Sequence, residues 1–148
     1  TALSISKISA ANVPNAKTTN VITKTTDDAD PYIRFKLVNQ AVRSEAARTS
    51  HRMNEPDPVF RDEELTLSGL PVGLAPSLRV EIWDHDQSNE DDLLAFATFD
   101  LHCGSGMVTN GELQRAPGLE ASCLRWAAPH VCFSYQLTPV ETPLSGWL

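Results

Sequence analysis

The stretch SLRVEIWDHDQSNEDDLL, residues 77–94, decides the fold and points to a site. Its first half places Leu78, Val80 and Ile82 on one side of an extended chain, which predicts a strand with one buried face. Five carboxylates follow within nine residues, at positions 84, 86, 90, 91 and 92. A calcium ion takes about 6–8 oxygen ligands, and close carboxylates repel one another until a cation arrives. The stretch therefore predicts a hard-cation site at the end of a strand.

The same alternation recurs along the chain between polar turns. No window of 12 or more residues keeps a helical stripe, and the best short-helix candidate, within 111–125, is interrupted by Pro117. Short strands separated by Pro, Asn, Asp and Gly predict an all-β fold, an antiparallel β-sandwich of about eight strands. The further strand candidates are 32–37, 96–101 and 131–137, the weaker 47–53 and 63–67, and an N-terminal one marked by Leu3, Ile5 and then Ile8.

Length and charge limit the classes of protein. The 148 residues suffice for one domain with a core, and we expect a single domain over 1–148 with its core at about 3–137 and a tail at 138–148. The net charge of −7 disfavours nucleic acid. Eight of the 19 acidic residues lie in two clusters, at 27–30 and 84–92. Neutralising these clusters would change the sign of the local surface potential, so the acidic total still permits a membrane partner. The first residue is not Met, and we expect a domain cut from a larger protein.

Other chemistry fits the residues poorly. Asp84, Asp86 and Ser88 match three positions of a helix–loop–helix calcium loop, but Asn89 and Ala95 replace its Gly and Glu, and the flanks alternate like strands. A glycosidase carboxylate pair is disfavoured because no aromatic residues cluster for sugar stacking. The four histidines show no metal-ligand spacing and no nucleophile partner. We therefore expect no enzymatic activity from these residues.

Three cysteines, Cys103, Cys123 and Cys132, make an odd count without metal-ligand spacing. We expect buried or half-buried thiols. A Cys103–Cys123 disulfide in an oxidising compartment is the alternative, which the sequence leaves open.

Spacing distinguishes the acidic residues from an ordinary charged turn. Asp84 and Asp86, two residues apart at a strand end, point the same way, and Asp92 can fold back onto them after a loop. His85 lies between them and is expected to point away from the ion. Glu90 and Asp91 are interpreted as charges at the rim.

Five segments follow one another along the chain, namely Ala11-Asn12-Val13-Pro14, Asp30-Pro31-Tyr32-Ile33-Arg34-Phe35-Lys36-Leu37, Asp57-Pro58-Val59-Phe60-Arg61-Asp62-Glu63, Leu78-Arg79-Val80-Glu81-Ile82-Trp83-Asp84-His85-Asp86 and Asp92-Leu93-Leu94-Ala95. Together they resemble a C2 domain, the calcium- and phospholipid-binding sandwich of synaptotagmins, protein kinases C, phospholipases and perforin. The resemblance covers about residues 3–137. Because the strand that leads into the first loop comes first and a spare strand, 130–137, comes last, it implies the type II, circularly permuted topology.

The resemblance implies a ligand set for Ca²⁺ drawn from loops at one end of the sandwich. Lys24 occupies the position where the family usually has a further first-loop aspartate, so Asp27 or Asp28 would replace it. We prefer Asp28, because it shares a face with Asp30 in an extended chain. The implied metal ligands are Asp28, Asp30, Asp84, Asp86, Asn89 and Asp92.

The implied function is calcium-dependent docking to an anionic phospholipid membrane, as a peripheral protein on the cytoplasmic face. Val21 and Ile22 are the candidates for shallow insertion into the bilayer, since they are apolar residues of the first loop. A second, phosphoinositide site is implied at Arg34, Lys36, Arg48 and Arg52. Two alternatives remain open: a calcium-independent protein-interaction module, and the targeting domain of a larger enzyme or pore-forming protein.

Overall fold

The computed structural model describes residues 2–14, 29–38, 46–68, 76–87, 90–117 and 128–138. Within these ranges the chain forms ten strands and no helix, and no helix that could span a membrane is found there. The strands are β1 (Ala2–Ala11), β2 (Pro31–Val38), β3 (Ala46–Arg48), β4 (Val59–Phe60), β5 (Leu65–Leu67), β6 (Ser77–Asp84), β7 (Asp92–Asp100), β8 (Gly104–Glu112), β9 (Gln114–Arg115) and β10 (His130–Thr138).

The described strands form two antiparallel sheets. The first has the order β4-β1-β10-β8, with β5 also paired to β1, and the second has the order β3-β2-β6-β7-β9. This confirms the predicted antiparallel sandwich. Ten strands replace the predicted eight because β4 and β5 both pair with β1, as one interrupted strand would, and because β9 adds two residues. The last described strand, β10, lies beside the first, with Ala2 opposite Thr138, as the type II topology requires.

Alternating apolar side chains of both sheets meet in one core. Phe35 of the second sheet contacts Phe133 of the first edge to face, with ring centroids 5.4 Å apart. Burying each large apolar side chain contributes roughly 1.5–3 kcal/mol. The predicted inward residues of β2, β6 and β10 are all buried, namely Ile33, Phe35, Leu37, Leu78, Val80, Ile82, Val131, Phe133, Tyr135 and Leu137.

A bulge in β1 explains its irregular apolar spacing. Ile5 and Ile8 are both buried although they are three positions apart, which a regular strand forbids. Lys7 between them has φ of 52°, and the register against β10 shifts between Ser6 and Ser9. The extra residue returns Ile8 to the core face.

The best short-helix candidate, within 111–125, forms strands where the structure describes it, in keeping with the predicted all-β fold. Residues up to Glu112 belong to β8, and Gln114–Arg115 form β9; residues 118–125 lie outside the described ranges. β8 pairs with β10 over most of its length. It carries few buried side chains, and a methyl group at Gly106 would overlap the ring of Tyr135. Glycine is required there because the Tyr135 ring covers it.

Two of the cysteines are described by the structure. Cys132 is a half-buried free thiol, as expected. Cys103 is an exposed one, so the expectation of a buried or half-buried thiol is wrong for this residue. Cys123 lies outside the described residues.

Candidate functional site

Three loops meet at one pole of the sandwich because the strands that they join end there. The first loop runs from 12 to 30, the second from 49 to 58 and the third from 85 to 91, between β1 and β2, β3 and β4, and β6 and β7 respectively. Several residues of the predicted site lie outside the described ranges, namely Asp27, Asp28 and Asn89 among the candidate ligands and Val21 and Ile22 among the candidate membrane contacts.

Asp84 joins the first loop to the third. Its carboxylate accepts a hydrogen bond of 2.8 Å from the main-chain N–H of Asp30, and the N–H of His85 donates one of 2.9 Å to the carbonyl of Asp30. Asp84 is only 3% exposed and faces Asp92 across the β6–β7 ladder, whereas Asp92 itself is exposed. Three of the predicted ligands therefore lie next to one another.

Asp30 also binds the second loop. Its carboxylate oxygen Oδ1 accepts a hydrogen bond of 2.7 Å from the N–H of Asn54, which has a left-handed backbone with φ of 46°. Beside this contact, the N–H of Glu55 donates to the carbonyl of Ala29. Asp30 thus lies where all three loops meet.

Asp91 is not the rim charge that its sequence position suggests. Its Oδ2 accepts a hydrogen bond of 2.5 Å from the hydroxyl of Tyr32, and its Oδ1 accepts one of 3.0 Å from the N–H of Asp86. These contacts tie the third loop to β2. A tyrosine that is buried usually needs a hydrogen-bond partner for its hydroxyl. The sequence contains Tyr32 but does not show that its partner is Asp91.

The contact between Tyr32 and Asp91 shifts the pKa of both groups. Burial, the hydrogen bond to Asp91 and the charge of that carboxylate raise the pKa of Tyr32 to about 12. Burial alone would raise the pKa of Asp91. The hydrogen bonds from Tyr32 and the Asp86 N–H, with the nearby His85 and Arg48 side chains, outweigh burial and hold that pKa below its usual range.

His85 lies between the proposed ligands in sequence but packs among other side chains. Its ring stacks on His51 with centroids 4.1 Å apart and planes 21° from parallel. Its Nδ1 lies 3.7 Å from Oδ1 of Asp91. The stack connects the second loop to the third.

The donor set suits a hard cation, since it consists of carboxylate and main-chain oxygens. The described residues do not complete a site by themselves: no group of three or more His, Cys, Asp or Glu side chains with metal-binding geometry occurs among them. The carboxylates of Asp30 and Asp84 instead bind main-chain N–H groups.

A basic face lies on the outer side of the second sheet, away from the core. We define it by three residues, Arg34 and Lys36 of β2 and Arg48 of β3. Arg34 lies directly opposite Arg48 in the ladder between these strands. The guanidinium of Arg48 lies 3.8 Å from the ring centroid of Tyr32. The predicted phosphoinositide residues from these two strands are therefore neighbours.

Arg52, the fourth predicted phosphoinositide residue, belongs to a different cluster. It forms a 3.3 Å ion pair with Glu63, and its guanidinium lies over the ring of Phe60. Glu63 also accepts hydrogen bonds from the N–H and hydroxyl of Ser50. Arg52 thus stabilises the second loop rather than extending the basic face.

Glu81 is buried, although the alternation of β6 predicts an outward, solvated side chain. It is only 7% exposed and lies on the same outer side as the basic face. Its carboxylate accepts hydrogen bonds from Arg79 (2.8 Å) and from the indole N–H of Trp83 (3.2 Å), and it lies 3.9 Å from Arg34. Long side chains of its own strand and of the neighbouring β2 surround it, and its charge offsets part of the positive charge of the basic face.

The sequence matches the family model of the C2 domain over residues 1–115. The chain belongs to the C2 domain family. C2 domains are non-catalytic modules, and members of the family bind phospholipid membranes or proteins, some of them with calcium. A search of curated protein sequences finds no match.

Three solved structures share the fold of this C2 domain. The C2A domain of plant Extended Synaptotagmin 1 is 13% identical, with 95% of this chain and 96% of that one covered and a TM-score of 0.62. Human GIVD cytosolic phospholipase A2 is 17% identical, with 95% and 16% covered and a TM-score of 0.65. A structure of CC2D1B is 12% identical, with 92% and 54% covered and a TM-score of 0.64. This chain thus covers a small part of the phospholipase chain and about half of the CC2D1B chain.

Proposed function

We propose that this C2 domain docks on anionic phospholipid membranes when its loops bind Ca²⁺. The observation that carries the proposal is the placement of Asp30, whose main chain binds the Asp84 carboxylate while its own carboxylate reaches the second loop. Acidic residues from distant parts of the sequence are thereby gathered at one pole. Such a concentration of oxygen donors favours a hard divalent cation.

The proposed ligands are those implied by the sequence, Asp28, Asp30, Asp84, Asp86, Asn89 and Asp92. Without a cation, their carboxylates repel one another and the anionic headgroups of a membrane. Bound Ca²⁺ would reverse the sign of the local charge and offer open coordination positions to lipid phosphate oxygens. Attraction to an anionic leaflet then amounts to about 1 kcal/mol per nearby positive charge, over about one Debye length.

Val21 and Ile22 of the first loop are proposed to enter the interface, as its apolar residues. The third loop offers only polar side chains between Asp84 and Asp92, so insertion is expected to be shallow. Changing both residues to Asn should weaken liposome binding. Unchanged affinity would show that docking rests on headgroup contacts alone.

The basic face is proposed as a second anion site. Arg34, Lys36 and Arg48 lie on one surface, which supports binding of a phosphoinositide headgroup. Glu81 limits this affinity, because it binds Arg79 and lies near Arg34. Docking at an anionic cytoplasmic leaflet fits both surfaces.

A calcium-independent interaction module, or the targeting domain of a larger enzyme or pore-forming protein, is the second candidate. Its support is that donors of the protein itself, both main-chain and side-chain, bind the carboxylates of Asp84 and Asp91. Calorimetric titration with Ca²⁺ separates the two functions. Absence of heat and of a change in melting temperature would favour the interaction module.

The direct test is sedimentation with phosphatidylserine liposomes, with and without Ca²⁺. The wild type should sediment with calcium, and Asp86→Asn should lose most of this binding. Asp100→Asn is the matched control, because it removes one carboxylate at the opposite pole, where Asp100 accepts a hydrogen bond from Ser77. Equal loss in both variants, or sedimentation independent of Ca²⁺, would contradict calcium-dependent docking.

A further inference from the structure

The carboxylate of Asp91 has both oxygens engaged within the protein. Oδ2 accepts from the hydroxyl of Tyr32 at 2.5 Å and Oδ1 from the N–H of Asp86 at 3.0 Å. Each is a hydrogen bond to an ionised acceptor, the stronger kind. The two donors belong to β2 and to the start of the third loop, so the Asp91 carboxylate ties this loop to the sheet. Its contribution to the loop is therefore through these contacts.

Tyr32 is a rigid anchor for this contact. Its side chain is buried, and it lies on β2 opposite Trp83 of β6. The guanidinium of Arg48 covers the ring at 3.8 Å from its centroid. The strand and the covering arginine fix the phenol ring, so the hydroxyl is held at one position.

The position of the Asp86 main chain follows from these contacts. The N–H of Asp86 donates to Asp91, which Tyr32 holds in place. Asp86 is one of the proposed ligands, and the direction of its side chain depends on its own main chain. A loop held in one conformation loses less conformational entropy when it binds a ligand than a loose one does.

We propose that Tyr32 and Asp91 are positioning residues that hold the third loop ready for Ca²⁺ without contacting the ion. This inference rests on the proposed function and concerns the affinity of the same site. Tyr32→Phe removes the hydroxyl but keeps the ring under Arg48. It should weaken Ca²⁺ binding by about tenfold, the effect of losing one hydrogen bond to a charged group.

The experiment is calorimetric titration with Ca²⁺ of the whole chain as wild type, Tyr32→Phe, Asp91→Asn and the double variant. Because both single changes break one contact, the double variant should lose little more affinity than Asp91→Asn alone. Hydrogen exchange of the Asp86 amide, followed by NMR without Ca²⁺, should be faster in Tyr32→Phe than in the wild type. A residue that acts only on global stability would not single out this amide.

Two control variants separate positioning from charge and from folding. Glu90→Gln removes a negative charge from the same loop, at an exposed residue, and should weaken Ca²⁺ binding less than Asp91→Asn. Tyr135→Phe removes a hydroxyl that accepts a 3.1 Å hydrogen bond from the N–H of His102 at the opposite pole, and should leave Ca²⁺ affinity unchanged. Melting temperatures without Ca²⁺ show that each variant is folded.

The outcomes distinguish this inference from the proposed function. A wild type without any calcium heat would overturn both. A wild type that binds Ca²⁺, beside a Tyr32→Phe variant with equal affinity and unchanged Asp86 exchange, would overturn only the positioning role. Equal losses in Glu90→Gln and Asp91→Asn would also overturn it, since charge alone would then account for the effect.

Discussion

The main-chain N–H of Asp30 is bound to the carboxylate of Asp84 at 2.8 Å, across 54 residues of sequence. The contact is part of an exchange, because His85 donates its N–H to the carbonyl of Asp30. Two proposed ligands are therefore held together by the protein itself. The conformational entropy lost in bringing the first and third loops together is therefore lost during folding and not during cation binding.

Replacing Asp84 should separate its structural role from its proposed role as a ligand. Asp84→Asn keeps an oxygen that can accept from Asp30, so the free energy of unfolding without Ca²⁺ should change little. The rise in melting temperature on adding Ca²⁺ should disappear. Asp84→Ala leaves the half-buried N–H of Asp30 without this acceptor and should lower the free energy of unfolding by about 1–3 kcal/mol. Urea denaturation with and without Ca²⁺ measures both effects, and a full calcium response in Asp84→Asn would count against a ligand role.

The stability contributed by Tyr32 should depend on pH at both extremes. Its pKa is raised to about 12, so this contribution is complete below the ordinary tyrosine pKa of about 10 and is lost as the pH rises to about 12. The pKa of Asp91 is lowered. Its contribution is present above the ordinary aspartate pKa of about 4 and is lost as the pH falls through the folded-state value.

Urea denaturation of wild type and Tyr32→Phe across this range measures the effect. The difference in free energy of unfolding should be largest between about pH 5 and 9 and should shrink towards both extremes. A difference that stays constant with pH would show that the hydroxyl contributes no proton-linked stability.

Glu81→Gln should increase binding of the basic face to anionic vesicles without Ca²⁺. The change removes the charge that offsets Arg79 and Arg34, and binding should weaken again with added salt. Breaking a buried ion pair should also reduce the free energy of unfolding. Glu63→Gln is the matched control, because Glu63 pairs with Arg52 away from this face. Equal gains in vesicle sedimentation for the two variants would indicate a general charge effect.

Phe133 should be one of the most sensitive positions of the core. It packs against the rings of Phe35 and Phe99 and is almost fully buried. Phe133→Ala should reduce the free energy of unfolding by about 3–5 kcal/mol, through lost burial and a cavity. Met107→Ala, at a side chain that is 66% exposed, should change it by no more than about 0.5 kcal/mol. Comparable losses would mean that the core is packed differently from this structure.

The strands that the sequence predicts well are those with one apolar and one polar face. The predicted strand 77–84 has the bounds of β6, and β2 and β10 differ from the prediction by a residue or so at each end. β8 was missed for a physical reason. Its exposed Met107 and its glycines leave no alternation to detect, and the strand exists because β10 supplies its hydrogen bonds.

The roles of individual acidic residues depend on three-dimensional details that spacing does not contain. A register shift after Ile82 pairs Trp83 with Leu93 and Asp84 with Asp92. Asp92 thus lies opposite Asp84, whereas the adjacent Asp91 binds the hydroxyl of Tyr32. The burial of Glu81 likewise depends on arginines from its own and a neighbouring strand. The family resemblance predicted the fold and the acidic pole, but not these partners.

The pairing of Ala2 with Thr138 has a practical consequence for experiments on this domain. Both residues lie at the pole opposite to the three loops, since β1 and β10 run antiparallel and meet the loops at Ala11 and His130. A fluorophore, an affinity handle or a fused protein attached beside either residue would therefore lie at the pole opposite to the three loops. The domain can therefore be immobilised on a sensor surface with its acidic loops facing the solution.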